Sequence, residues 1–250
     1  LNTSNCDLKN FTKTNNFFKK IKPDQVIHTA GVVYGIGGNS SNQWKSIYEN
    51  SLINLNVVNS SINNKVKKIN FISTGAIYDS NLDSPLKEKD IFKGMPHDSE
   101  YGYAYSKRFM YNLLKVAKKN YDIDFSYIVS CNLYGENDNF SIIKGHVIPS
   151  LIHKFFVAKK NDQNVEIWGN GKSARDFMYV KEAARAIKLI SEKFNGVINL
   201  GSKEIYKISE IVYFLSKISK VKKFYYNKDM PNGALVRYYE LSKLKRLKFK

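Results

Sequence analysis

The chain has 250 residues, 43% of them apolar, which is enough to bury a sizeable core in one large domain or in one domain with a smaller appendage. No run approaches the roughly 20 apolar residues of a membrane-spanning helix, and the first six residues lack the basic-then-apolar pattern of a secretion signal. Composition therefore predicts a soluble, cytoplasmic protein with no membrane partner.

The net charge of +18 raises the possibility of nucleic-acid binding, because lysine-rich surfaces gain affinity by releasing counterions. The lysines are spread along the whole chain and do not form one basic arm. A positive field that attracts an anionic small molecule explains this distribution better, so we predict no nucleic-acid partner.

The two cysteines, Cys6 and Cys131, lie far apart in the sequence. Their spacing matches neither a metal-ligand pair nor a disulfide scaffold. We expect two buried free thiols and no metal site.

Apolar runs alternate with helical patterns through the first 130 residues, which is typical of repeated βα units with a parallel sheet. The sequence thus predicts a doubly wound, Rossmann-like α/β core. Strands are expected at 24–31, 68–74 and 124–130, and helices at 44–58 and 101–119.

Beyond Asn132 the pattern is less regular. Some of its elements are expected to complete the sheet, and the rest to form a small C-terminal lobe, with a ligand between lobe and sheet. The expected division is a dinucleotide-binding core at 1–145 and a mixed region at 146–250 that completes the sheet and forms the substrate-binding lobe, with no completed element at 243–250. The predicted elements are helices at 147–159, 181–193 and 208–218 and strands at 165–168 and 197–200.

Tyr103 and Lys107 form a Tyr-x-x-x-Lys unit, whose two side chains share one face of a helix. The ammonium can lower the pKa of the phenol, and Thr74, at the end of the preceding strand, would complete a proton-transfer trio. On its own the spacing is also typical of a solvated pair on an amphipathic helix. Because the Tyr-x-x-x-Lys unit here follows a strand that ends in Thr74, it indicates redox chemistry between a carbonyl and an alcohol.

With this unit, the chain resembles the extended short-chain dehydrogenases/reductases, the NAD-dependent epimerase/dehydratase family that acts on nucleotide sugars. Within that family it is most similar to the GDP-L-fucose synthases. The closer resemblance lies at 132–135 with 138–140, at 146–152, and at 168–171 with 175–177.

The resemblance implies that NADP (NADPH) is the cofactor, with Asp7 near the adenine and small residues lining the cleft. It also implies that the chain begins after the family's first strand and glycine-rich turn, which would weaken cofactor binding, and that part of the C-terminal lobe is missing. Residues 35–38 resemble the family's substrate-side loop. The implied cofactor-binding residues are Asp7, Thr29, Ala30, Gly31, Ile72, Ser73, Thr74, Lys107, Ser130, Cys131, Asn132, Leu133 and His146.

The family resemblance also implies the catalytic roles. Tyr103 would protonate the C4 oxygen as hydride arrives, with Thr74 donating to the same oxygen and Lys107 binding the nicotinamide ribose. His146 would be the acid for epimerisation beside the ketone. A GDP-sugar substrate would be bound by Asn132, Lys154, Trp168, Arg175 and Arg237, the last following Pro231-Asn232-Gly233.

Ala76 departs from the family pattern, because fucose synthases have at this position the cysteine that removes the proton next to the ketone. Alanine cannot accept a proton. Two outcomes remain open: C4 reduction without inversion at C3 or C5, which we favour, or slower epimerisation that uses Cys131 or a water.

Two other functions also remain open. The chain could be a 4-epimerase or dehydratase of another nucleotide sugar, although a dehydratase would be expected to have an acidic residue next to Thr74. It could also be a non-catalytic α/β binding protein, which is favoured if these 250 residues are the natural length. The resemblance further implies a homodimer packed through the long helices that include 101–119.

Overall fold

The structure is a computed structural model that describes residues 5–34, 36–142, 145–230 and 235–249. Residue 35 of the predicted substrate-side loop, and residues 231–233 before Arg237, lie outside these ranges. The strands are β1 (Gln25–His28), β2 (Lys68–Thr74), β3 (Asp124–Ser130), β4 (Asn132–Tyr134), β5 (Val165–Trp168), β6 (Ala174–Tyr179), β7 (Gly196–Leu200), β8 (Ile205–Lys207), β9 (Phe224–Asn227) and β10 (Val236–Arg237). The helices are α1 (Phe11–Ile21), α2 (Ile36–Ser41), α3 (Gln43–Asn63), α4 (Tyr101–Tyr121), α5 (Val147–Asn161), α6 (Val180–Lys193), α7 (Ile208–Ser219) and α8 (Ser242–Arg246).

The central sheet is parallel, with strand order β1-β2-β3-β7. Its two middle strands are buried along nearly their whole length, because helices cover the sheet and both strands are rich in apolar residues. Thr74 at the end of β2 pairs in register with Ser130 at the end of β3, so both strands deliver their C-termini to the same edge. The predicted doubly wound, Rossmann-like fold is confirmed.

The second group of strands begins at β4. The order β10-β6-β4 forms one sheet, with β8 antiparallel to β6, and β5 pairs with β9 separately. Helices α5 and α7 pack together beside these strands. β7, which also comes after residue 146, returns to the central sheet.

The C-terminal segment differs from the sequence expectation. Residues 243–250 were expected to contain no completed element, and this was wrong, because α8 forms at Ser242–Arg246. Leu241 and Leu244, three residues apart, are both buried against the central core, and this packing stabilises the short helix.

Lys68, the first residue of β2, is buried and meets the end of α6. Its ammonium donates to the carbonyls of Ser191 (2.8 Å) and Phe194 (2.7 Å), which lie at the C-terminal end of that helix. A cation there satisfies carbonyls that have no partner within the helix and interacts favourably with its dipole. Within the described ranges, no helix is both long and apolar enough to cross a membrane.

Candidate active site

Tyr103, Lys107 and Thr74 converge at the C-terminal edge of the central sheet. Tyr103 and Lys107 lie one turn apart on α4 and are both buried, and the Thr74 hydroxyl hydrogen-bonds the phenol of Tyr103. The Thr74 hydroxyl oxygen also accepts from the Ala76 backbone N–H at 3.2 Å, which fixes its orientation. The structure therefore brings together the three side chains that the sequence placed in one proton-transfer group.

The electrostatics of Tyr103 differ from the sequence expectation. Burial, and to a smaller extent Glu100, raises the pKa of Tyr103 above its ordinary value, whereas the hydrogen bond from Thr74 lowers it. The Lys107 ammonium lies 5.5 Å from the centre of the Tyr103 ring and donates to the Ile72 carbonyl at 3.3 Å. The expected lowering of this pKa by Lys107 is thus absent here, and the phenol keeps its proton at neutral pH.

Lys107 is a buried cation. Burial lowers its pKa to about 8, and its ammonium lies 4.6 Å from the centre of the Phe71 ring. Together with burial, its charge lowers the pKa of the His28 imidazole to about 3, so His28 is neutral and hydrogen-bonds Asn54. A desolvated ammonium in this position would gain from neutral hydrogen-bond acceptors such as sugar hydroxyls.

Gly31, just after β1, lies between two polar side chains. A Cβ at this position would be 3.0 Å from Oδ1 of Asn50 and 3.5 Å from Nζ of Lys107. Asn50 holds the adjacent loop by accepting from the Val32 N–H at 2.7 Å and donating to the Val32 carbonyl at 3.0 Å. Only a residue without a side chain leaves this space open, and the backbone is fixed beside Lys107.

The other residues expected on the cofactor side have varied surroundings. Asp7 lies in the loop before α1, where its carboxylate accepts from the Lys9 N–H at 3.0 Å. Thr29 is exposed and Ala30 is partly buried, both in the loop that follows β1. Ser73 is buried and its hydroxyl donates to Tyr127 at 2.8 Å, so it supports the core behind the site.

The end of β3 brings Ser130 to Leu133 to the same edge. The Ser130 hydroxyl donates to the Cys131 carbonyl at 3.0 Å, and the Asn132 amide donates to the Asp176 carbonyl at 3.2 Å. Asn132 and Leu133 are partly buried in β4, which pairs with β6. This segment therefore joins the central sheet to the second group of strands.

Cys131 is poorly suited to replace the missing base. Burial, followed by the nearby Asp176 carboxylate, raises the pKa of this thiol far above its ordinary value. Asp176 is itself buried and accepts from both the backbone N–H (2.9 Å) and the hydroxyl (2.7 Å) of Ser202. A thiol that stays protonated beside a carboxylate is not a base at neutral pH. This argues against epimerisation that uses Cys131 as the base.

Ala76 packs directly against Tyr103. It is buried in a small cluster with Tyr103 and Ala104. Next to it, Gly75 leaves room for the Tyr239 hydroxyl, with which a Cβ at this position would collide. A methyl group thus stands beside Tyr103 at the position where the family resemblance implies a cysteine.

His146 is exposed and directly precedes α5. Its carbonyl accepts from the Ser150 N–H at 3.0 Å. In the described part of the chain, no hydrogen bond links its imidazole to Tyr103, Lys107 or Thr74. Its predicted catalytic role remains a prediction.

Lys154 and Trp168 lie together in the second group of elements. The Lys154 ammonium is 4.5 Å from the centre of the Trp168 ring and donates to the Glu166 carbonyl at 2.9 Å. The indole N–H donates to the Glu166 carboxylate at 3.1 Å. The sequence-predicted cation and aromatic plane are thus adjacent.

Arg175 and Arg237 are register partners in the paired strands β6 and β10. Burial and the neighbouring charge of Arg237 lower the pKa of Arg175. Two adjacent guanidinium groups repel each other, and an anion between them would relieve the repulsion. Arg237 also donates to the backbone carbonyls of Tyr78 and Asp79 at 3.2 and 3.1 Å.

Sequence reasoning missed four residues that shape this region: Asn50, Arg108, Asp176 and Tyr239. Arg108 directly follows Lys107, so its place on α4 was readable, but its contacts were not. The other three act through elements distant in sequence, and nothing in their local pattern indicates these contacts.

The fold and the trio define an NAD(P)-dependent enzyme of the Rossmann-like class. The chain belongs to the NAD dependent epimerase/dehydratase family, whose model matches residues 1–208. The family expected from the sequence is therefore confirmed.

The chain is also similar to individual curated relatives and solved structures. The chain is 32% identical over 253 residues to GDP-L-fucose synthase of Dictyostelium discoideum, covering 99% of this chain and 79% of that relative. A GDP-6-OMe-4-keto-L-xylo-heptose reductase from C. jejuni superimposes with a TM-score of 0.91 at 26% identity, over 100% of this chain and 84% of that one. A GDP-mannoheptose C4 reductase from Campylobacter jejuni with NADP bound gives 0.89 at 27% identity, over 100% and 83%.

Proposed function

We propose that this protein is an NADPH-dependent reductase of the C4 ketone of a GDP-linked 4-keto-6-deoxy sugar, and that it does not invert C3 or C5. The observation that carries the proposal is the Ala76 methyl group packed against Tyr103, beside an intact Tyr103–Thr74 hydrogen bond. The acid for reduction is present, and the base for epimerisation is replaced.

The cofactor cleft fits NADPH in two respects. Gly31 leaves open the space in which a side chain would crowd Asn50 and Lys107, and Lys107 offers a desolvated ammonium there. When bound, NADPH supplies the hydride. The residues proposed to hold it are Asp7, Thr29, Ala30, Gly31, Ile72, Ser73, Thr74, Lys107, Ser130, Cys131, Asn132, Leu133 and His146.

In this proposal Tyr103 donates its proton to the C4 oxygen as that oxygen gains negative charge. Its raised pKa keeps it protonated in the resting enzyme, as reduction requires. Thr74, oriented by the Ala76 N–H, donates to the same oxygen and stabilises the developing charge. Lys107 hydrogen-bonds the ribose and orients the cofactor.

The GDP half is assigned to the second group of elements. Arg175, Arg237 and Lys154 supply cations for the diphosphate, Trp168 supplies an aromatic plane, and Asn132 lies where the two groups of strands meet. The names of relatives support a GDP-sugar, since the heptose reductases and the fucose synthase above all act on GDP-linked compounds by title.

The test uses the full-length gene product with NADPH and a panel of 4-keto sugars linked to GDP or UDP. We expect NADPH consumption with GDP-4-keto-6-deoxy-mannose, and little with UDP-linked substrates. Tyr103→Phe should lower kcat by about 10²- to 10⁴-fold, because the proton donor is lost. Tyr105→Phe, two residues along the same helix, is the matched control and should retain activity.

Equal turnover of UDP-linked substrates would contradict the GDP assignment. Full activity of Tyr103→Phe would contradict the proposed acid. NADPH-independent interconversion of C4 epimers would instead indicate a 4-epimerase.

A further inference from the structure

Three consecutive backbone carbonyls shortly after β2, the strand that ends at Thr74, each accept a hydrogen bond from an arginine. Nε of Arg108 donates to the Ile77 carbonyl at 2.9 Å. Nη2 of Arg237 donates to the carbonyls of Tyr78 (3.2 Å) and Asp79 (3.1 Å). We call Arg108 and Arg237 the arginine clamp, because together they hold residues 77–79.

Arg108 has an unusual environment for a cation. It is only 5% exposed, and within the described ranges it forms no ion pair with a carboxylate. Its guanidinium lies between the rings of Phe92 (5.7 Å) and Tyr105 (5.4 Å), and Nη1 donates to the Gly94 carbonyl at 3.0 Å. Among the residues that the structure describes, Nη2 is buried with no hydrogen-bond partner. Burying an incompletely satisfied cation is costly, so stability alone does not explain this residue.

The held segment continues directly from the turn that carries Ala76. That turn, Gly75–Ile77, begins at Thr74, whose hydroxyl accepts from the Ala76 N–H. The Tyr78 N–H donates back to the Gly75 carbonyl at 3.2 Å. A shift of residues 77–79 would therefore move the turn and reorient the Thr74 hydroxyl.

The clamp connects two parts of the proposed site. Arg108 belongs to α4, next to Lys107 and little more than one turn after Tyr103. Arg237 belongs to β10 and is the register partner of Arg175. The segment that follows the Gly75–Ile77 turn is thus held by α4, which carries Tyr103, and by the strand pair β6–β10, which is assigned to the nucleotide.

We propose that Arg108 and Arg237 are positioning residues that fix the Gly75–Ile77 turn, and with it the Thr74 hydroxyl, relative to Tyr103. Arg237 also transmits nucleotide binding to this turn, so that binding energy from the unreactive half of the substrate improves the geometry at the ketone. The kinetic part of this inference rests on the proposed reductase function.

The first test compares kinetic parameters of single variants. Arg108→Met should lower kcat by about 10- to 100-fold with KM for the sugar nucleotide nearly unchanged, because a small misplacement of reacting groups is enough for such a loss. Arg108→Lys should recover part of that kcat, since one donor to Ile77 can reform. Arg237→Lys should change both kcat and KM, whereas Arg175→Lys should mainly raise KM. Lys115→Met, an exposed position on the same helix, is the control.

The second test needs no substrate. Hydrogen exchange of the Ala76 and Tyr78 amides in the free, folded protein should be about tenfold faster in Arg108→Met than in Lys115→Met, because the turn loses its anchor. The exchange rates test the arginine clamp even if the wild-type protein reduces none of the sugars tested. Unchanged exchange at these two amides would overturn the clamp, as would a wild-type kcat in a folded Arg108→Met variant.

Discussion

Lys107 combines a proposed catalytic role with a pKa inside the working range of many enzymes. Burial lowers its pKa to about 8 from an ordinary value near 10.5, so the ammonium is present below that pH and is lost above it. If Lys107 binds the cofactor as a cation, binding must weaken as the pH rises through this value.

We therefore expect kcat/KM for NADPH to be nearly constant from about pH 6 to pH 7 and to fall by about five-fold from about pH 8 to pH 9. The parameter kcat/KM is the correct one, because it reports the pKa of the free enzyme. Steady-state kinetics in buffers of constant ionic strength would measure it.

Lys107→Arg provides the matched control, since arginine keeps its charge throughout this range. Its profile should be flat to about pH 9 even if its overall rate is lower. A flat profile for the wild-type protein over the same range would mean that the charge of Lys107 does not contribute to cofactor binding.

At the scale of elements, the cap on α6 is the feature with the clearest energetic consequence. Lys68→Met preserves the length of the side chain but removes the ammonium that donates to the Ser191 and Phe194 carbonyls, of which Phe194 keeps the Ser126 hydroxyl as a donor. We expect a loss of about 2 to 3 kcal/mol in the free energy of unfolding, typical of buried hydrogen bonds to a charged group.

Lys67→Met is the comparison, because Lys67 is exposed and forms a surface ion pair with Asp24 at 2.8 Å. It should leave the free energy of unfolding nearly unchanged, because an exposed ion pair contributes little to stability. Urea denaturation at pH 7, followed by circular dichroism, would measure both variants. Equal effects of the two substitutions would show that the cap on α6 contributes nothing beyond a surface charge.

The elements that the sequence predicted well are those whose signal is local. β2 and β3 were predicted with the bounds that the structure has, because each is a short apolar run with flanking polar residues. β6, β8 and β10 were missed because each contains charged residues and no long continuous apolar run, and their pairing depends on partners distant in the chain. α1 was missed although its amphipathic pattern is strong and the Asn10 side chain caps it, so the sequence did carry a local signal for this helix.

The site residues, like the elements, were predicted where the sequence signal is local. Tyr103, Lys107 and Thr74 were predictable because a helix face and a strand end determine where they lie. The raised pKa of Tyr103 was not, since it depends on burial by the whole fold. The contact of Tyr239 with Gly75 joins distant parts of the chain, and no spacing indicates it.

For the whole molecule, we propose that the exposed faces of α3 and α4 form the interface of the homodimer implied by the family resemblance. Phe109 and Val116 are seven residues apart on α4 and are both exposed, as are Tyr48 and Leu55 at the same spacing on α3. Such a repeat of exposed apolar residues along two packed helices is typical of a surface that a second copy covers.

Val116→Glu should therefore convert the dimer to a monomer, because a buried unpaired carboxylate is costly in an interface. Ile218→Glu, at an even more exposed apolar residue on α7, should leave the dimer intact. Light scattering coupled to size-exclusion chromatography would measure the mass. A monomeric wild-type protein at micromolar concentration, or loss of the dimer only in the α7 variant, would contradict this interface.

The most direct test of the proposed function is incubation of the full-length protein with NADPH and GDP-4-keto-6-deoxy-mannose in heavy water. Deuterium at C3 and C5 would be followed by NMR alongside NADPH loss. We predict NADPH loss with no deuterium at either carbon, and deuterium at one or both in Ala76→Cys but not in Ala76→Ser, because only the thiol can act as the base. Deuterium in the wild-type product would contradict a reductase that lacks epimerisation, and absence of both signals would exclude this sugar as the substrate.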